Sequence, residues 1–132
     1  MNAEQMELAR RFAACKGWVW LPGMREASGC RVVAVDNADA CLAEEGATCD
    51  DNHASWVPQC GCTPDLSDAL TRAGLLEVVR RALGMPNLTP IIGADGWYLH
   101  GIPDDRPELW WSSGQPSELH ALLAALEAAP DV

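Results

Sequence analysis

Four cysteines and one histidine fall within 22 residues, in the pattern Cys41-x7-Cys49-x3-His53-x6-Cys60-x-Cys62. Thiolate and imidazole are the donors Zn2+ takes in a tetrahedral set, so these five residues are the candidate zinc ligands. The spacing departs from the paired C-x2-C knuckle, and Cys60-Gly61-Cys62 is a tighter pair. The same residues admit a disulfide from Cys41 or Cys49 to Cys60 or Cys62, which a reducing cytoplasm opposes, or free thiols. The baseline is therefore no cofactor, with zinc the one metal the residues suggest. A thiolate beside a base is also a nucleophile, and Cys60 or Cys62 with His53 or His100 would make a small cysteine hydrolase. No family signature surrounds either thiol. Cys15 and Cys30 read as small buried hydrophobes. His100 and His120 read as surface residues.

Charge is the second chemical feature. The chain of 132 residues carries 9 basic and 19 acidic residues, a formal net charge of -10. Between Val32 and Thr71 there is no Lys or Arg, while Asp36, Asp39, Glu44, Glu45, Asp50, Asp51, Asp65 and Asp68 are all acidic. A phosphate backbone is held mainly by Lys and Arg, so direct nucleic-acid binding is disfavoured, as is an anionic membrane surface. A protein with a basic surface is the natural partner, with Asp36, Asp39, Glu44, Glu45, Asp50 and Asp51 as the binding residues. The plain alternative is that the acidity keeps a small domain soluble. Asp50-Asp51 and Asp104-Asp105 sit in polar loops, where solvated charges are the default. Trp110-Trp111 would point to opposite faces of a strand, leaving one exposed as a hydrophobic contact and homo-oligomer formation open. Without basic neighbours it is a poor platform for bases.

These residues need elements to position them. Periodicity predicts a helix from about Ala3 to Lys16 with Gly17 as its C′ residue. Trp18–Leu21 and Cys30–Val35 read as strands, paired antiparallel across Pro22-Gly23 and Ser28-Gly29. The pattern then breaks down from Asp36 to about Asn52, and Ala54–Val57 forms a short strand around Trp56, ended by Pro58. A second helix, Ala69–Leu83, is capped by Asp68 or Ser67 and closed by Gly84. Leu88–Ile92 and Trp97–His100 form a hairpin across Gly93–Gly96, Leu109–Trp111 another strand, and Pro116–Ala128 a last helix with Pro116 at N1. The fold class is α+β: one small, mainly antiparallel sheet of four to five strands packed with three amphipathic helices. The length fits a single domain, 1–132, with a variable acidic, cysteine-bearing segment at about 36–63. No run of 18 apolar residues exists to span a membrane, and Met1–Gln5 lacks a signal-peptide pattern, which points to a cytoplasm.

The landmarks Gly17-Trp18-Val19-Trp20-Leu21-Pro22-Gly23-Met24, Trp56, Pro64-Asp65-Leu66-Ser67-Asp68, Gly74-Leu75-Leu76 to Leu83-Gly84 and the Glu118–Glu127 helix resemble small phage and prophage proteins of the ABA-sandwich type. That resemblance covers most of the chain in outline and implies a phage origin, hence the cytoplasm of a bacterial host. Its landmarks are packing and capping residues, so it carries no catalytic residues over. Joined to the charge, it yields the leading expectation: a non-enzymatic phage accessory protein that binds a host protein. An anti-CRISPR-like inhibitor mimicking DNA charge is the concrete version. A phage structural or assembly role through an exposed Trp face is the second reading, and the cysteine hydrolase the third.

Overall fold

The computed structural model describes residues 1–45, 54–101 and 114–129. Their elements run α1 (Ala3–Ala14), β1 (Arg31–Val35), β2 (Asp39–Ala43), β3 (Ala54–Pro58), a 3-10 turn at Gln59–Gly61, α2 (Ala69–Leu83), β4 (Thr89–Gly93), β5 (Gly96–His100) and α3 (Glu118–Ala128). The class is α+β and all strand pairing is antiparallel. The five strands do not form the single sheet expected: they divide into β1-β2-β3 and β4-β5. Among the described residues, the strand-to-strand pairs join elements next to each other in the chain, and the long helix α2 intervenes between β3 and β4. The chain clusters into two compact units, Met1–Ala13 with Val19–Gly74 and Ala14–Trp18 with Leu75–Val132.

In the first unit, α1 starts on a reciprocal cap. Asn2 Oδ1 accepts from the Gln5 N–H at 2.8 Å and Gln5 Oε1 from the Asn2 N–H at 3.0 Å, satisfying two amides that lack intrahelical partners. Leu8, Ala9 and Phe12 form its buried face. Trp18–Leu21 is not a strand. Pro22 lacks the N–H a ladder needs, and pairing begins beyond it. Gly23 N–H donates to Val32 O at 2.8 Å and Val32 N–H to Met24 O at 2.7 Å, and Arg25 bridges Arg31. Residues 63–65 lie along this segment in turn, with Ala27 N–H on Thr63 O and Asp65 N–H on Arg25 O, both at 2.8 Å. One edge of the three-stranded sheet is thereby covered.

β2 falls where the sequence pattern had broken down. Asp-Ala-Cys-Leu-Ala has modest strand propensity, but it is paired on both sides, with β1 and β3. Ala40, Cys41 and Ala43 are fully buried, and small side chains suit that central position. The β1–β2 register shifts between Val32 and Ala34, a β-bulge.

The N-terminus of α2 anchors the unit. Asp68 Oδ2 accepts from the Thr71 N–H at 2.9 Å and its hydroxyl at 3.0 Å, and from Arg31 Nη1 at 2.7 Å. Thr71 is fully buried, and its hydroxyl also accepts the Arg25 N–H at 2.7 Å. Arg31 further donates to Gly23 O at 3.0 Å and to Glu45 Oε2 at 3.2 Å.

In the second unit, α2 ends as the sequence predicts. Gly84 takes φ +67, its N–H reaches Arg81 O, and the Met85 N–H reaches Arg80 O at 2.9 Å, the double closure of a Schellman motif. Gly17 is not a left-handed cap. A Cβ there would lie 2.9 Å from Ala82 Cβ and 3.1 Å from Leu126 Cδ1, so a missing side chain lets α2, α3 and the 14–18 segment approach. α3 packs on the β4–β5 hairpin. Its residues Ala121–Leu126 are all buried, so this stretch is enclosed rather than amphipathic. Ser117 is its N-cap, which leaves Pro116 outside the helix.

Burial opposes the charged form of Asp68, but the hydrogen bonds from Arg31 and Thr71 and the Arg31 charge outweigh it and hold the carboxyl below its ordinary value. A depressed native value gives stability that is complete above the unfolded-state value, about 4, and lost as pH falls through the native one. Asp68→Ala should lower the unfolding free energy at pH 7 by about 2 kcal/mol and flatten the acid limb of the stability profile below about pH 4. Urea unfolding across a pH series measures both. An acid limb as steep as that of the unsubstituted protein would contradict this role.

Candidate functional site

The acidic residues begin at the β1–β2 turn. Asp36 Oδ1 accepts the N–H groups of Ala38 at 3.0 Å and Asp39 at 2.6 Å, an Asx turn of the kind short carboxylate side chains favour. Gln59 fixes this turn from the far side of the sheet. Its Nε2 donates to Asp36 O at 2.7 Å and Asp39 O at 3.0 Å, and its N–H to Ala38 O at 2.9 Å. Glu44 and Glu45 follow the other end of β2. At about 3.4 Å per residue the two ends lie roughly 14 Å apart. Among the described residues, Asp36 and Asp39 thus stand at one end of β2 and Glu44 and Glu45 at the other. Asp50 and Asp51 lie outside the described residues.

The cations sort these groups further. Arg31 is held by Asp68 and Glu45, at 2.7 and 3.2 Å, and Arg25 Nε lies 4.0 Å from Asp65. The Asp68 hydrogen bond raises the Arg31 pKa and outweighs burial, which lowers it, so the guanidinium stays charged. Asp36 is exposed and Asp39 half-buried, and among the described residues neither carboxylate has a cationic partner.

Trp56 stands near the turn. It lies on β3, 49% exposed, opposite Cys41 in the β2–β3 register. Asp39 pairs with Pro58, two residues along from Trp56. Asp39 and Trp56 therefore share one face as diagonal neighbours, a relation that spans roughly 7–8 Å and is within reach of long or aromatic side chains. Pattern reasoning placed the exposed aromatic contact at Trp110 and Trp111, which lie outside the described residues. The exposure of Trp56 was not foreseen. The signal available was its place in a five-residue run ended by Pro58, since proline within a sheet belongs on an edge strand.

The cysteines divide by burial. Cys41 is fully buried in β2 and Cys62 is 7% exposed, whereas Cys60 is exposed. Cys60 and Cys62 are free thiols, and Cys62 Sγ donates to Pro58 O at 3.4 Å. Cys49 and His53 lie outside the described residues, and no three candidate metal ligands gather among the described ones. Cys15 and Cys30 are half-buried rather than buried. His100 is exposed at the end of β5. His120 Nδ1 lies 2.6 Å from Ser117 Oγ, a pairing the sequence reading passed over although a hydroxyl three residues ahead of a histidine at a helix start signals it. The same oxygen accepts the His120 N–H at 3.2 Å, which commits it to capping α3.

Burial first, then the nearby Glu26 and Cys60, push the Cys62 thiol above its ordinary value. The thiolate is the reactive form. Iodoacetamide at about pH 8 should therefore modify Cys60 at least about tenfold faster than Cys62 in the native protein. The difference should vanish in denaturant. Peptide mass mapping over a time course reads the rates, and equal native rates would contradict the assigned burial.

Comparison of the chain with protein-family models, with curated proteins and with solved structures found no match.

Proposed function

We propose that this chain is a non-enzymatic binding protein whose three-stranded sheet engages a partner protein with a basic surface. One observation carries the reading: Asp36 and Asp39 stand at a hydrogen-bonded turn without a cationic partner among the described residues, inside a stretch that contains no Lys or Arg. A turn fixed by Gln59 presents these charges at little ordering cost on association. Opposed charge speeds encounter and selects partners. The resemblance to small phage and prophage proteins makes the partner a host protein in the bacterial cytoplasm. The concrete form is an anti-CRISPR-like inhibitor that presents carboxylates to an Arg- and Lys-lined groove built for phosphate. A structural role through an aromatic face is the second reading. Trp56, 49% exposed on the sheet, is the observation that favours it.

The test is affinity capture from a bacterial host lysate, followed by a salt titration of the purified complex. The charge reading expects binding to weaken about tenfold between about 0.05 and 0.3 M salt. The double substitution Asp36→Asn, Asp39→Asn, which keeps side-chain acceptors in the turn, should weaken it further. A complex indifferent to both salt and substitution would favour the aromatic-face reading, as would concentration-dependent self-association in light scattering.

A further inference from the structure

The geometry points to β3 as a docking edge for an extended, arginine-bearing segment of the partner, with Trp56 and Asp39 together taking one guanidinium. The inference rests on the charge-based reading above and adds where and how the partner binds.

The two edges of the three-stranded sheet differ. β1 is flanked by residues 23–25, and those by residues 63–65. β3 pairs with β2 alone, and among the described residues no strand or bridge lies on its outer side. In an antiparallel strand alternate residues turn their N–H and C=O groups outward. An unpaired edge is therefore a template for another chain, and strand addition is a recurrent mode of peptide recognition. Pro58 ends β3 and limits the template to the residues before it.

The side chains on this edge choose the occupant. Trp56 offers a half-exposed ring, which attracts a cation over its face. Asp39 sits diagonally across on the same face, by register, and has no cationic partner among the described residues. A planar guanidinium can stack on an aromatic ring and hydrogen-bond a carboxylate at once, which an ammonium does less well. No Lys or Arg lies between Val32 and Thr71, and Arg31, on the same face of the sheet, is held by Asp68 and Glu45. A second copy of this chain is a poor occupant, because it would bring the same acidic edge, and a net charge of -10, against itself.

The test uses the full chain and a labelled peptide of alternating Arg and Thr, about eight residues long, read by fluorescence anisotropy at low salt. Three matched peptides accompany it: Lys for Arg, citrulline for Arg, and backbone N-methylated at alternate residues so that its strand edge is blocked. The inference expects the Arg peptide to bind best, Lys to cost several-fold, citrulline to abolish binding, and N-methylation or Trp56→Leu to cost about tenfold. The peptide variants leave the protein untouched, so the strand-addition arm does not depend on Trp56→Leu folding. Equal affinity for the N-methylated peptide, or no effect of Trp56→Leu in a folded protein, with salt-dependent binding retained, overturns the docking edge and leaves the charge reading standing. Absence of binding by every peptide, together with loss of salt-dependent capture, overturns both.

Discussion

The ion pair between Arg31 and Asp68 holds the first unit together at a point where four chain segments converge. Arg31 leaves β1 and reaches Gly23 O, Glu45 beyond β2, and the cap of α2. Asp68 in turn satisfies the Thr71 amide and hydroxyl, and Thr71 holds the Arg25 backbone. Each member is nearly enclosed, with 16% and 11% of the two charged side chains exposed. Charges this far from water persist only when paired and hydrogen-bonded. The pairing has an electrostatic consequence at the surface. The Arg31 guanidinium on β1 is already committed to Asp68 and Glu45, so it does not offset the carboxylates at the β1–β2 turn.

What was legible in the sequence was set by local signals. α2 could be read end to end because Asp68, an unbroken apolar ridge and Gly84 each act within one or two turns of the helix. β3 was legible from Trp56 and Pro58, and the β4–β5 hairpin from its glycine-bounded turn. Illegible elements depend on partners far along the chain. β2 is a strand because β1 and β3 bind both its edges, and nothing in Asp-Ala-Cys-Leu-Ala announces it. Trp18–Leu21 has the composition of a strand, but residues 23–25 take the place beside β1. The division into two sheets has the same origin: composition counts strands but does not say which edges meet.

The acidic character of the proposed site was legible in composition more than in place. The stretch without Lys or Arg, between Val32 and Thr71, falls within the first unit. Its composition does not show that Asp65, Asp68 and Glu45 lie against Arg25 and Arg31 while Asp36 and Asp39 have no such cation among the described residues. Nor could cysteine spacing show that Cys41 and Cys62 are buried and Cys60 exposed. Neither distinction is encoded in linear spacing: Cys60 and Cys62 are set by the 3-10 turn at Gln59–Gly61, and the ion pairs by which distant segments meet.

The bulge in β1 gives that register a further meaning. Arg31 and Ala34 are three residues apart, and in a regular strand an odd separation puts side chains on opposite faces. The shift between Val32 and Ala34 gives them Ala43 and Cys41 as partners, two residues that share one face of β2. The extra residue therefore keeps Arg31 aligned with the face that Asp39 and Trp56 occupy, while Val32 remains buried. Adding or removing a single residue in β1 would exchange its faces and swing Arg31 away from Asp68. The number of residues in this strand is as closely constrained as its charge. Over sequence divergence it can accept replacements far more readily than changes in length.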